Sequence, residues 1–476
     1  SVPFSLAKKM QIVQSSAYKS QYKLNSIVLI PSNAFGEHDN FNLQQSHVIP
    51  ALIRKFSEAV KFNKKKVFVW GSKEVYRDFI HISDIAEGLY IAALNYNQVL
   101  PLNLCTGKKT SIGQIVDILK SDWLTQGPTV PKFEESVASK VGAKFGVASN
   151  SATSALHIAY MSLGLKPGDS VWTSPNTFVA TTNAAIFCGA KVDFVDIDIE
   201  TFNIDVNLLE TKLKKSAKDN TLPKIVVPVH LAGQSPNMKK IHELSKEYGF
   251  NIVEDASHSI GGKYLDEYVG NCKYSDITVF SFHPVKIITS GEGGMALTND
   301  EELRRKLILH RSHGITSSAD YMQKTPSNEI WNYQQISLGY NYRMTDIAAG
   351  LGISQLSRLD SFVSTRHVVA ERYNKELLSM PIKLPKVIKE SYSSYHLYVI
   401  RLKLEEINKT HQQIHDELIE LGVMVNLHYI PVYRQPYYQE LGFKKGYCPE
   451  SEKYHREALS IPIHPSLKTE DQTKVI

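Results

Sequence analysis

Cysteine is scarce. The 476 residues hold four, Cys105, Cys188, Cys272 and Cys448, far apart and without a CxxC pair. This argues against a disulfide framework or a zinc site and points to a reducing, cytoplasmic setting. Long apolar runs are also missing. No stretch of about 18 apolar residues occurs, so no transmembrane helix is expected. The opening SVPFSLAKKM has no long apolar segment and reads as an internal stretch rather than a signal peptide. Charge of one sign is lacking: 54 basic and 48 acidic residues leave a net +6. The longest basic run, Lys64–Lys66, precedes a strand and is a solvated turn, so neither nucleic acid nor membrane is an expected partner. His310 and His313 form one HxxH, but nothing nearby completes a ligand set, so no metal is expected. Internal repeats and low-complexity segments are absent.

What is present is ordinary globular material, 42% hydrophobic and 21% charged. The length suggests about three structural units. Up to about residue 120 the chain reads as α/β: a helix over Leu6–Tyr22, a strand over Ser26–Pro31, a helical stretch Val48–Phe62 and a strand Val67–Trp70. From Asp122 the rhythm restarts. Strands are predicted at Phe145–Ser149, Ser170–Thr173, Lys191–Val195, Ile225–Val229, Asn251–Glu254 and Ile277–Phe280, with helices between most of them. Such alternation gives a mostly parallel sheet covered on both faces. After about residue 365, a helix over Phe362–Leu378 and strands near His396–Leu402 and Val423–Tyr429 predict a smaller α+β domain. The predicted division is 1–120, 121–365 and 366–476.

Four segments carry polar groups where such a sheet binds ligands, at the carboxyl ends of strands. SNSATSALH (Ser149–His157) ends a strand and starts a helix, whose free N–H groups suit an anion such as phosphate; taken alone, the segment is better explained as a plain N-cap. In NIVEDASHS an apolar strand delivers Asp255, either a cap or the partner of a cation, with His258 following. In VFSFHPVKIITSGEGG, Lys286 follows an apolar strand and precedes a Gly-rich loop. A desolvated lysine has a lowered pKa and can form a Schiff base. With a carboxylate 31 residues earlier, the pair suits pyridoxal phosphate chemistry. LGYNYRMTDIAAGLGISQL places Asn341 and Arg343 before an apolar helix, as a capping segment would.

These motifs, together with DWLTQGPTVPKFE, SPNTFVATTNA, RSHGI and HYIPVYRQPYY, resemble the sugar aminotransferase family of fold-type I pyridoxal-phosphate enzymes over about residues 115–476. The likeness is greatest to the aminotransferases of pseudaminic acid biosynthesis. The resemblance implies an α/β fold-type I transferase: a large cofactor domain followed by a small C-terminal α+β domain. It implies Lys286 as the Schiff-base lysine and Asp255 as partner of the pyridine nitrogen. Phe178 would stack on the ring, His258 would stand on the cofactor face, and Ala152, Thr153 and Ser281 would hold the phosphate. Asn341 would reach the neighbouring subunit's phosphate, which makes a homodimer part of the site. His428 and Tyr429 would line the sugar-nucleotide pocket, with His313 a weaker candidate; a core His and a packing Tyr are the bland alternatives. The implied reaction moves an amino group from L-glutamate to C4 of a UDP-linked 4-keto-6-deoxy-N-acetylhexosamine.

The first 120 residues resemble a different family. PFSLAKK, IPSNAFGEHDNF, SHVIPALIRKF, VFVWGS, YRDFIHISD and NLCTGKKTSI are similar to the C-terminal half of GDP-L-fucose synthases, extended short-chain dehydrogenase/reductases. The family's YxxxK pair aligns with Phe4 and Lys8, so the acidic hydroxyl is missing, and no G-x-G-x-x-G occurs. His47, Lys55, Trp70 and Arg77 fall on that family's sugar-nucleotide positions. A partial Rossmann-type piece that neither binds NADP nor reduces a substrate is therefore expected. Three rival readings remain at this point: a GDP-sugar aminotransferase of the perosamine type, a GDP-sugar oxidoreductase, and a non-catalytic remnant. Phe4 counts against the second, and the joint presence of Lys286 and Asp255 against the third.

Overall fold

The computed structural model describes residues 122–322 and 331–476. Before these it describes 29–31, 33–35, 54–55, 58, 61, 76–77, 79–81, 102–104, 110–111 and 118. The chain divides into two compact units, residues 1–124 and 125–476. In the first, Leu29–Pro31 pairs in parallel with Leu102–Leu104, Asn33–Phe35 in parallel with Phe79–His81, and Tyr76–Arg77 antiparallel with Thr110–Ser111. Lys55 is helical and Arg77 lies in a strand. The predicted helix Leu6–Tyr22 and strand Val67–Trp70, with Phe4, Lys8, His47 and Trp70, lie outside the described residues.

The second unit opens with α1 (Thr129–Val141). Val130, Phe133, Val137, Ala138 and Val141 recur at helical spacing and form its buried stripe, and Gly142 closes it at φ 84°. β1 (Phe145–Ser149), α2 (Ala152–Ser162), β2 (Ser170–Thr173), α3 (Ala180–Phe187) and β3 (Lys191–Phe194) follow. Then come α4 (Val206–Lys218), β4 (Ile225–Val227), α5 (Met238–Tyr248), β5 (Asn251–Asp255), β6 (Ile277–Ser281), β7 (Gly294–Thr298) and α6 (Glu301–Arg311). One seven-stranded sheet has the order β1-β7-β6-β5-β4-β2-β3. β6, β5, β4, β2 and β3 run parallel, while β7 is antiparallel to both its neighbours. The expected mostly parallel sheet is therefore present.

Its strands are buried on both faces, and their side chains alternate between two cores. Val147, Val253, Val279 and Ala296 face the cluster built on Leu156, Ala159 and Tyr160 of α2. Ala148, Phe280, Met295 and Leu297 face the cluster of Phe133 and Val137 of α1. Ile252 and Val226 join Ile241 and Leu244 of α5 in a third.

Beyond this lie α7 (Asp346–Leu356) and α8 (Leu359–Glu376), then a three-stranded antiparallel sheet. It consists of β8 (Ile382–Lys383), β9 (Tyr398–Leu402) and β10 (Ala458–Ile461), with β9 central. The strand expected at Val423–Tyr429 does not form. Within it only Asn426 bridges to the sheet, opposite Ser460. Val423 and Val425 enter the core of the small sheet, whereas Leu427 and Tyr429 pack toward Phe202, Leu231 and Tyr454. Two cores pull this segment apart and break the ladder. Among the described residues, no helix is long and apolar enough to cross a membrane.

Candidate active site

β5 carries Asp255 to its carboxyl end, where the side chain is buried. One carboxylate oxygen, Oδ1, accepts from the Ser257 backbone N–H at 3.2 Å and from the Ser257 hydroxyl at 2.6 Å. The other, Oδ2, accepts from the Thr181 hydroxyl at 2.6 Å. Three donors thus stabilise a carboxylate that has lost most of its water. Glu254, one residue earlier, faces the other side of the sheet and bonds Ser275 and Thr278.

Lys286 lies in the turn joining β6 to β7, its backbone N–H donating to the His283 carbonyl at 2.9 Å. Burial lowers its pKa from 10.5 to about 8, and Asp255 pulls weakly the other way. A lysine so tuned is partly neutral near pH 8, and so can act as a nucleophile or move a proton. β5 and β6 are adjacent and parallel, so the sheet itself brings carboxylate and amine to one edge.

A wall of rings accompanies them. His258 and His396 are buried with centroids 4.3 Å apart. The Tyr429 hydroxyl is 3.2 Å from His258 Nε2, and Phe178 packs 6.1 Å from the Tyr429 ring. His428 Nδ1 is 2.9 Å from the Ser460 hydroxyl. Burial, reinforced by Lys286, drives the pKa of His258 and His396 well below the usual value and that of His428 to about 4. Burial likewise pushes Tyr429 upward. All four rings are therefore neutral at working pH. Phe178, 60% exposed, presents a bare aromatic face beside this wall.

The anion-binding end forms at α2. Ser151 caps the helix by accepting from the Ser154 N–H at 3.1 Å. Ala152 and Thr153 occupy its first turn, where backbone N–H groups have no helical acceptor. Ser281 pairs with Gly294 in the β6–β7 ladder. A Cβ on Gly294 would run into the Ser151 carbonyl oxygen and lie 2.5 Å from the Ala152 nitrogen. Only glycine lets β7 press against the helix start. Asn341 is exposed and bridges Ser312, while His313 at φ 60° donates its N–H to the Tyr340 carbonyl at 3.0 Å. Those two sit side by side and share no bond with the Lys286 group.

The arrangement fits pyridoxal phosphate. A buried, donor-supported carboxylate suits a protonated ring nitrogen, the tuned amine suits an aldehyde, the bare phenyl face suits a flat ring, and the helix start suits a phosphate. Sequence reasoning missed Thr181, Ser257 and His396. Ser257 was findable, as a hydroxyl two residues after a strand-end carboxylate. The other two reach the site only through the fold.

Residues 106–476 match the DegT/DnrJ/EryC1/StrS aminotransferase family, and residues 1–105 match the NAD dependent epimerase/dehydratase family. The chain is 38% identical over 364 residues to the UDP-4-amino-4,6-dideoxy-N-acetyl-beta-L-altrosamine transaminase of Campylobacter jejuni, covering 76% of this chain and 92% of that protein. It is 37% identical over 383 residues to the spore coat polysaccharide biosynthesis protein SpsC of Bacillus subtilis, covering 80% and 96%. Among solved structures, Helicobacter pylori PseC, an aminotransferase involved in the biosynthesis of pseudoaminic acid, superposes with a TM-score of 0.69. It is 30% identical and covers 76% of this chain and 93% of that one.

Proposed function

The chain belongs to the DegT/DnrJ/EryC1/StrS aminotransferase family of pyridoxal-phosphate-dependent sugar aminotransferases, and on that premise we propose that it aminates C4 of a nucleotide-linked 4-keto-6-deoxy sugar. The substrate on this reading is UDP-2-acetamido-2,6-dideoxy-beta-L-arabino-hex-4-ulose, with L-glutamate as donor. The names of the Campylobacter and Helicobacter relatives support it. The observation that carries the chemistry is Lys286, lowered to about pKa 8 beside the end of the strand that bears Asp255.

Pyridoxal phosphate supplies, when bound, an aldehyde that captures amines and a ring that withdraws electrons from the neighbouring carbon. Asp255 would hold its ring nitrogen, Phe178 and His258 would pack on the ring, and Ala152, Thr153 and Ser281 would take the phosphate. Lys286 Nζ removes the proton from the α-carbon of glutamate, and in the second half-reaction delivers a proton to C4 of the sugar. His428 and Tyr429 orient the sugar. Asn341, exposed in the single chain, would complete the phosphate site of a second subunit, which makes the working unit a homodimer. Residues 121–365 then form the large domain and 366–476 the small one. The N-terminal piece, with Phe4 in place of the catalytic tyrosine, carries no reductase activity.

The test is an absorbance spectrum of the purified chain with added pyridoxal phosphate, before and after L-glutamate. A visible band that glutamate bleaches, and that Lys286→Ala lacks, supports the first half-reaction. Turnover of 4-keto UDP-sugars over GDP-sugars supports the substrate; the reverse preference would move it to the perosamine type. No band in the parent chain would leave the non-catalytic reading.

A further inference from the structure

We propose that Thr181 is a positioning residue that orients the Asp255 carboxylate and leaves one lone pair of Oδ2 for the cofactor's ring nitrogen; this rests on the cofactor reading above. A carboxylate offers about four lone-pair sites. Oδ1 is filled by the N–H and hydroxyl of Ser257. Oδ2 accepts from Thr181 at 2.6 Å, and among the described residues no second donor reaches it. The oxygen with capacity left is therefore the one Thr181 holds.

The Thr181 hydroxyl has a single proton, and its shortest contact commits that proton to Asp255. The Thr177 hydroxyl, 2.7 Å away, must then donate to Thr181. The result is a directed relay, Thr177 to Thr181 to Asp255, whose two threonines are at most 2% exposed. The main chain is pinned as well: the Tyr160 hydroxyl donates to the Thr181 carbonyl at 3.0 Å. Phe178 lies between the two threonines, so one turn aims hydroxyls inward at the carboxylate and a phenyl outward at the ligand.

A hydroxyl donated to a carboxylate favours its ionised form. Without it, the Oδ2 lone pair meant for the ligand is no longer held in place. The titratable groups facing Asp255 are Lys286 from the turn after β6, Tyr160 from α2 and Tyr429 from the C-terminal segment. Burial keeps both tyrosines protonated, and Lys286 acts alike in every variant.

The test compares the parent chain with Thr181→Val, Thr181→Ser and Thr177→Val, each checked for folding by circular dichroism. Pyridoxal phosphate affinity is titrated against pH by its Lys286-dependent visible band. In Thr181→Val the affinity should fall roughly tenfold across the profile, the loss expected for a hydrogen bond to a charged group. Thr181→Ser should follow the parent, and Thr177→Val should move the same way by less. A Thr181→Val profile that overlays the parent overturns the proposal while leaving the cofactor reading intact. Should Thr181→Val not fold, an unshifted Thr177→Val overturns it. A parent chain without a Lys286-dependent band overturns the cofactor reading, and this one with it.

Discussion

The Tyr429 hydroxyl lies 3.2 Å from Nε2 of His258, tying the C-terminal segment to the loop after β5. Both residues are shielded, and among the described residues His258 Nδ1 has no hydrogen-bond partner. Tyr429→Phe strips Nε2 of its partner too. Leaving a buried polar atom unsatisfied costs roughly 1–3 kcal/mol. A drop of that size in urea unfolding free energy is expected, and Tyr429→Phe should unfold earlier than a control such as Tyr437→Phe on the exposed surface.

Lys286 gives a pH-dependent prediction with a definite sign. Its folded pKa, about 8, lies below the ordinary 10.5. Between those values the unfolded chain binds more protons than the native one, so stability rises with pH across that window. Below pH 8 the native state bears the full penalty of a buried ammonium. Lys286→Met should therefore be more stable than the cofactor-free parent at pH 7. The gap should shrink as pH climbs toward 10.5, as thermal unfolding at several pH values would show. A gap independent of pH would contradict the assignment.

Gly294→Ala places a methyl against the first residues of α2. Overpacking of this kind costs typically about 1–3 kcal/mol. The strand would also be pushed from the helix start, so affinity for inorganic phosphate and for pyridoxal phosphate should fall together. Calorimetric titration of both ligands checks this; retention of phosphate binding would separate β7 from the anion site.

Arg401 on β9 is 2% exposed and bonds Glu200 and Glu457, each at 2.9 Å. Removing one partner of a buried pair typically costs about 3–5 kcal/mol. Because Glu200 is half exposed, Arg401→Met is expected near the low end, about 3 kcal/mol. Glu200→Gln should cost under about 1 kcal/mol, as surface pairs do. Equal losses from the two substitutions in denaturant titrations would refute the ranking.

How much of this was legible in the sequence depended on distance along the chain. The buried strands announced themselves as apolar runs, Asp255 as a polar residue ending one of them and Lys286 as one shortly after another. β7 was hidden because its glycine reads as part of the preceding Gly-rich loop, although Met295–Thr298 is buried sheet. Val423–Tyr429 misled because its alternation is real but serves two different cores. Thr181 bonds a residue 74 positions away, and His396 meets His258 only after the small sheet docks. No local pattern encodes such meetings; they are products of topology.

The hairpin of β6 and β7 has one more consequence. It pairs Ser281 with Gly294 and Phe280 with Met295, so the lysine-bearing turn is closed by a short loop with low entropic demand. The Thr181 support of the carboxylate, 74 positions away, closes a far longer one. During refolding the amine should therefore be caged first, and the carboxylate, already supported by Ser257 two residues on, should gain its Thr181 donor late. Pulse-labelling hydrogen exchange would see the amides of 278–282 and 294–297 protected ahead of those of 183–187 in α3, the helix that carries Thr181, so that an assembling chain holds its reactive lysine in place before the donor that fixes its partner carboxylate.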